Sequence, residues 1–152
     1  MRLCNKQSGF TLIEMMIIIT ILAVFAGIAV PNFLSYMPKS RLNGAARQVM
    51  GDLMGARMKA VSQNNEFKIF FSANGHEYTI LDDDDNDGTA DGGELTETKD
   101  IHPEYHDVTI GFNNNPIFSP RGTATNLPTI TLTNTSGSKS ITISSAGRVR
   151  IN

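Results

Sequence analysis

The 152-residue chain has one cysteine, no tryptophan and three histidines. A single cysteine, Cys4, excludes a disulfide framework and a cysteine-rich zinc site. Of the histidines, His102 and His106 are spaced for one helical face, but Pro103 between them disfavours a helix and with it a histidine metal pair. The sequence contains no G-x-x-x-x-G-K-[ST], no G-x-S-x-G and no H-E-x-x-H. No serine-based triad can be assembled from recognisable motifs either, so the sequence reads as that of a protein that is not an enzyme. The length excludes a large multidomain assembly in one chain. Acidic residues are missing from Val108 to Asn152, where the charged side chains are Arg121, Lys139, Arg148 and Arg150.

What is there is unevenly distributed. The whole chain is 40% hydrophobic with net charge −2, which suggests an ordinary soluble domain. Residues 10–30 contradict that average: 17 of the 21 are aliphatic, Phe or Met, interrupted by Thr11, Glu14, Thr20 and Gly27. As a helix the run is about 31 Å long, enough to cross the hydrocarbon core of a bilayer. The preceding segment carries Arg2 and Lys6, which hold that end in the cytoplasm and send the rest outward. Eleven of the 15 Asp and Glu residues fall between Asp82 and Asp107, with Lys99 as the one basic residue among them.

A cleaved secretory signal has a shorter apolar core, and a plain anchor leaves Glu14 without a purpose in an apolar span. The string Gly9-Phe10-Thr11-Leu12-Ile13-Glu14, behind a short basic leader and ahead of the apolar run, resembles the prepilin signature of type IV pilins and type II secretion pseudopilins. The resemblance implies that a prepilin peptidase cuts between Gly9 and Phe10 and that Phe10 becomes N-methylated. It also places the family's glutamate at Glu14 and a common pilin proline at Pro31. The amine of Phe10, on the same or a neighbouring subunit, is then the natural partner of the Glu14 carboxylate, since a buried charge is tolerable when paired.

Beyond Pro38 the apolar period is helical: Leu42, Ala46, Val49, Leu53, Ala56 and Ala60 form one stripe. A helix from about Phe10 to Ser62 is expected, bent or locally broken at Pro31 and Pro38, with its stop at Ser62-Gln63-Asn64-Asn65. Asp52-Leu53, Ala56-Arg57 and Ala60 resemble a pattern of H-type pseudopilins and FimT-type minor pilins. Phe118-Ser119-Pro120-Arg121-Gly122 and Gly147-Arg148-Val149 resemble the same subfamily.

After Asn65 the period changes to two. Phe67–Phe71 and Glu77–Leu81 read as a hairpin, as do Thr129–Thr133 and Ser140–Ser144 around residues 134–139. Val108–Phe112, Ile117-Phe118 and Arg148–Ile151 are further strand candidates. The expected fold is α+β, a long N-terminal helix packed through its second half on a C-terminal antiparallel β-sheet domain. The division reads as leader 1–9, transmembrane or filament-core helix 10–30, amphipathic continuation 31–62 and a periplasmic β-rich domain 63–152.

Within that domain, Asp83-x-Asp85-x-Asp87-Gly88 followed by Glu94 matches a calcium-loop pattern, with Thr89 at the position that ligates through its carbonyl and Asp91 at the ninth. Alternate carboxylates on a tight turn converge on one point, and a hard Ca²⁺ wants six to eight oxygens. Asp82, Asp84 and Asn86 should point away. The flanks are strand and loop, so the expectation is a calcium loop outside an EF-hand; a solvated acidic loop is the competing reading.

The leading functional expectation is a minor subunit of a type IV pilus or type II secretion pseudopilus. It would sit in the bacterial inner membrane through a single span, in contact with lipid. Its partners would be other pilin or pseudopilin subunits, the prepilin peptidase and the inner-membrane assembly platform. The alternative is a DNA-binding minor pilin for natural transformation. Arg148 and Arg150 would lie on one side of a strand, joined by Lys139 and Arg121 in a basic region.

Overall fold

The structure is a computed structural model that describes residues 9–85, 89 and 93–152. The leader residues 1–8 and Asn86, Asp87, Gly88 and Asp91 of the acidic loop therefore lie outside the described residues.

Helix α1 runs from Leu12 to Gln63. Thr11 caps it: the Glu14 amide donates to Thr11 Oγ1 at 3.2 Å. Thr and Glu stand at capping-box spacing, so the start of the helix is written in the sequence. At the other end Asn64 adopts a left-handed φ of 58°, and the Asn65 amide donates back to the Ala60 carbonyl at 3.2 Å. This closure satisfies a terminal carbonyl that would otherwise face no donor. The helix passes through Pro31 and Pro38 without interruption, so the expected local break does not occur. Each proline removes one bond from the ladder while the flanking turns keep theirs.

The chain divides into two compact units, Met1–Met37 and Pro38–Asn152. In the first, the side chains from Gly9 to Tyr36 are all exposed. In the second, the helix buries Leu42, Ala45, Ala46, Val49, Leu53, Ala56 and Ala60. The second unit, the head, thus takes in the helix from Pro38 together with the strands. From Pro38 on the amphipathic continuation belongs to that unit, because its stripe supplies part of the core.

The head's strands form the expected antiparallel β-sheet domain, arranged as two sheets. In the first, the order is β3 (Thr96–Asp100), β2 (Glu77–Asp83), β1 (Glu66–Phe71), β5 (Ile117–Phe118) and β6 (Ala124–Thr125). In the second, it is β4 (Thr109–Phe112), β7 (Thr129–Asn134), β8 (Gly137–Ile143) and β9 (Val149–Ile151). The β1–β2 hairpin pairs Glu66 with Asp83 and Phe71 with Tyr78. The β7–β8 hairpin pairs Asn134 with Gly137, so its loop is only Thr135-Ser136, tighter than the 134–139 loop expected. Gly137 follows at φ 137°, a conformation suited to glycine. Strand β3 escaped the sequence reading because its residues, Thr-Glu-Thr-Lys-Asp, show no apolar alternation. One core unites the helix stripe with Phe67, Ile69, Tyr78 and Phe118 of the first sheet and Ile130, Leu132, Ile141 and Val149 of the second. Burying such side chains contributes about 1.5–3 kcal/mol each, which is why both sheets face the helix.

Candidate functional site

At the helix start, Gly9, Phe10, Thr11 and Glu14 line one depression. Phe10 is 74% exposed and the following apolar residues have no protein neighbours to cover them. Glu14 is exposed within an otherwise apolar surface, and Pro31 sits in the same exposed stretch. A surface of this kind is stable against lipid or other apolar helices, not against water.

The subfamily-like pattern on the second half of the helix proves to be a code for docking the sheets. Leu53, Ala56 and Ala60 are buried in the core. Asp52 accepts a hydrogen bond from the Tyr78 hydroxyl on β2. Burial, and then the neighbouring Asp52 carboxylate, push the Tyr78 hydroxyl far above the ordinary phenol range, so it remains a donor. Arg57 donates through Nε to the Gly122 carbonyl at 2.8 Å and through Nη2 towards the Ala146 carbonyl at 3.4 Å. Those carbonyls belong to the β5–β6 and β8–β9 turns, so one guanidinium ties both sheets to the helix. Gly122 and Gly147 both have left-handed φ, 75° and 72°. A Cβ at Gly147 would collide with the Gly122 carbonyl oxygen and lie 2.6 Å from Arg57 Nε. The glycine-bearing strings of the tail are thus the other half of the Arg57 contact.

A second tie closes the upper end of the head. Arg41 grips Asp107 with two bonds, Nε to Oδ1 at 2.6 Å and Nη2 to Oδ2 at 3.1 Å. Asn134 Nδ2 bridges the Pro38 carbonyl at 2.7 Å and Asp107 Oδ2 at 3.1 Å. The Arg41 guanidinium holds the Asp107 carboxyl below the usual carboxylate range.

The acidic loop sorts its carboxylates into two groups. One oxygen each from Asp83, Asp85 and Glu94 fall within 4.8 Å of one another. Asp82 and Asp84 turn instead to Asn65, whose Nδ2 donates to Asp82 Oδ1 at 2.7 Å and Asp84 Oδ1 at 2.6 Å. The expected alternation therefore holds for the described residues. Glu94 is drawn across the loop by the Asp84 amide, which donates to Glu94 Oε1 at 3.0 Å. Thr89 is exposed. Asn65 is a positioning residue the sequence reading missed; its signal was an amide side chain just past the helix stop.

The basic tail is divided. Arg148 and Arg150 are both exposed, on the face opposite buried Val149. Arg121 is exposed in the turn whose Gly122 touches Gly147. Lys139, paired with Leu132 in the β7–β8 hairpin, instead lines a depression with Lys39 and Asn43 near the other end of the head's helix. Four cations adjacent only in sequence thus become two separate regions.

Similarity to known proteins agrees with these features. The family described as "Type II transport protein GspH" matches residues 45–147, and "Prokaryotic N-terminal methylation motif" matches residues 4–30. The type IV minor pilin FimU of Pseudomonas aeruginosa shares the fold at a TM-score of 0.60 with 22% identity, covering 77% of this chain and 92% of that one. The minor pseudopilin EpsH of the Vibrio cholerae Type 2 Secretion System superposes at 0.58 with 12% identity, covering 74% and 96%. Fimbrial protein Q of Moraxella bovis is 42% identical over 53 residues, 35% of this chain; the match spans 31% of that protein's length. The GspH match covers most of the head, including the Arg57 contact and every strand but β9, and the chain belongs to the type II transport protein GspH family of pilin-like proteins.

Proposed function

We propose that the chain is a minor structural subunit of a type IV pilus or type II secretion pseudopilus. It is cut after Gly9 by a prepilin peptidase, methylated on Phe10 and held in the bacterial inner membrane by residues 10–30. The head projects into the periplasm, and an inner-membrane platform adds the subunit to a helical filament of other pilin-like subunits. The observation that carries this reading is the uncovered apolar stretch up to Tyr36, broken near its start by the single carboxylate of Glu14. Lipid covers such a surface before assembly and neighbouring apolar helices cover it after; the carboxylate is then matched by a Phe10 amine. Glu14→Ala should be processed and inserted normally but be depleted from sheared filaments. Wild-type incorporation of that variant would defeat the reading.

Calcium is the ligand proposed for the acidic loop. Oxygens on opposite sides of a Ca²⁺ bound at 2.3–2.6 Å stand up to about 5 Å apart, so the 4.8 Å cluster of Asp83, Asp85 and Glu94 fits the ion. Asp87, Asp91 and the Thr89 carbonyl complete the set by sequence. Calorimetric titration of the full chain in detergent should give saturable Ca²⁺ heat that Asp85→Asn abolishes; no heat at millimolar Ca²⁺ would remove the proposal.

DNA binding for natural transformation is the alternative function. It is favoured by one feature, the exposed pair Arg148 and Arg150 on one face beside Arg121. Lys139 does not contribute to that face. Retardation of duplex DNA should be salt-dependent and lost in Arg148→Gln/Arg150→Gln; equal binding by that variant would eliminate the arginines.

A further inference from the structure

At the start of the head's helix a depression of about 330 Å³ is lined by Lys39, Asn43, Ser136, Ser138 and Lys139, among others. It belongs to the head alone, between the first helical turn after Pro38 and the tight Thr135-Ser136 loop of the β7–β8 hairpin. No carboxylate is among its lining residues. Among the described residues the ion pairs of arginine and lysine involve Arg41, Lys59 and Lys99, so Lys39 and Lys139 keep uncompensated charge. The Asp107 carboxylate at this end of the head is taken by the two bonds from Arg41. The hairpin loop is held in shape by the protein itself. The Ser136 amide donates to Asn134 Oδ1 at 2.9 Å, and Asn134 Nδ2 donates to the Pro38 carbonyl at 2.7 Å. Helix and hairpin are thus tied together with two ammonium groups, two serine hydroxyls and one side-chain amide on the same depression. Such donors without an acid suit an anion with several charged oxygens, a phosphate above all.

The place of the depression along the chain identifies the source of that phosphate. Lys39 stands three residues after Tyr36, where the uncovered apolar stretch of the same helix ends. Three residues reach at most about 11 Å, so Lys39 stays close to whatever covers that stretch. Tyr36 is 61% exposed, and an exposed tyrosine at the end of an apolar helix suits the headgroup depth of a bilayer.

We infer that the Lys39–Lys139 depression binds the phosphate of an anionic phospholipid headgroup on the outward side of the membrane. The inference rests on the reading of residues 10–30 as a membrane span, and adds to it a lipid-selective contact made by the head. Zwitterionic lipids carry a phosphate too, but their own cation opposes the two lysines. A phosphatidylglycerol headgroup has no such cation, so it is the lipid selected. The contact exists only while the subunit is in the bilayer, and a subunit drawn out of the membrane must give it up.

The full chain, reconstituted in vesicles of equal phosphatidylcholine and phosphatidylglycerol and released for native mass spectrometry, tests it. Wild type should retain phosphatidylglycerol over phosphatidylcholine about tenfold. Lys39→Gln/Lys139→Gln removes two charges and no core contact, and should abolish most of that preference with near-ultraviolet dichroism unchanged. Lys39→Arg/Lys139→Arg should keep it. Arg2→Gln/Lys6→Gln in the leader and Arg148→Gln/Arg150→Gln in the other basic region should leave the lysine-dependent part in place. A preference unaltered by Lys39→Gln/Lys139→Gln overturns the inference. Loss of the bound phosphatidylglycerol to millimolar inorganic phosphate overturns it in favour of a soluble phosphate, and loss to duplex DNA in favour of nucleic acid. Carbonate washing of the vesicles separates the inference from the reading beneath it. A chain that is stripped off defeats both, whereas a membrane-held chain without the preference defeats this inference alone.

Discussion

One helix contains two surfaces built on different rules. Up to Tyr36 it is apolar on every side and no side chain is covered. From Leu42 to Ala60 it is apolar along one stripe and that stripe is wholly buried. A surface that is greasy all round has no preferred direction, so it suits a solvent or a ring of neighbours. A single stripe points at one partner, and here the partner is the pair of sheets. The burial needed for the head's stability is concentrated in the second stretch, while the first is free to be selected for membrane and filament.

The largest test of that contrast compares two leucines. Leu53 is fully buried in the head, and Leu53→Ala should cost about 2–5 kcal/mol through lost burial and a residual cavity. Leu22 is exposed, and Leu22→Ala should leave the head within about 0.5 kcal/mol of wild type. Denaturant unfolding of the full chain in detergent, followed by near-ultraviolet dichroism of the tyrosines, reads both. Equal losses would mean that the two stretches fold as one unit and the contrast would collapse.

Glycine provides the next test, because the chain uses it in opposite ways along its length. Gly27 has open space where a Cβ would go, and in a helix interior Gly27→Ala should be neutral or favourable. Gly147 has left-handed φ and a backbone carbonyl, that of Gly122, where a Cβ would go. Gly147→Ala should cost about 2 kcal/mol or more, because the Gly122 turn and Arg57 must both move. Gly137→Ala, strained in φ but uncrowded, should fall between them. A Gly147→Ala protein as stable as wild type would show that the two turns do not depend on close approach.

These contrasts explain which parts of the molecule were legible in its sequence. Apolar period reported the helix, its buried stripe and both long hairpins, because period is a direct trace of burial. It could not report β3, whose five residues are polar and which pairs through its backbone. The helix stop at Ser62-Gln63-Asn64-Asn65 was readable from residue type. The division of the basic tail was not: Lys139 and Arg148 are separated by the β8 strand, and strand direction decides which end of the head each occupies. The split of the acidic run into a converging set and an Asn65-bound set followed from the alternate spacing of carboxylates on a turn, but the identity of Asn65 as the donor to the second set needed the helix end brought beside the strand. Arg57 shows the same limit. Its place in a subfamily pattern was visible, while its contact with two glycine turns far along the chain was not.

The smallest expected effect concerns the tie at the top of the head. Asp107 is partly buried, bonded twice by Arg41 and once by Asn134, and its folded pKa lies below the ordinary value. A carboxyl depressed by folding contributes stability that is fully present above its unfolded pKa, about 3.9. That contribution disappears as pH falls through the lower folded value. The head should therefore lose about 1 kcal/mol from this group on acidification below about pH 4. Asp107→Asn should flatten that acid limb while leaving the unfolding of residues 12–36, which hold no such pair among the described residues, unaffected. Glu97, drawn below its usual range by Lys99 and then Lys59, titrates in the same direction, but it is exposed and water screens it. Thermal midpoints across pH 2.5–6 for wild type, Asp107→Asn and Glu97→Gln separate the two. A wild-type acid limb unchanged by Asp107→Asn would relocate the pH sensitivity away from the Arg41 junction, and would leave the buried stripe of the helix as the head's main attachment at that end.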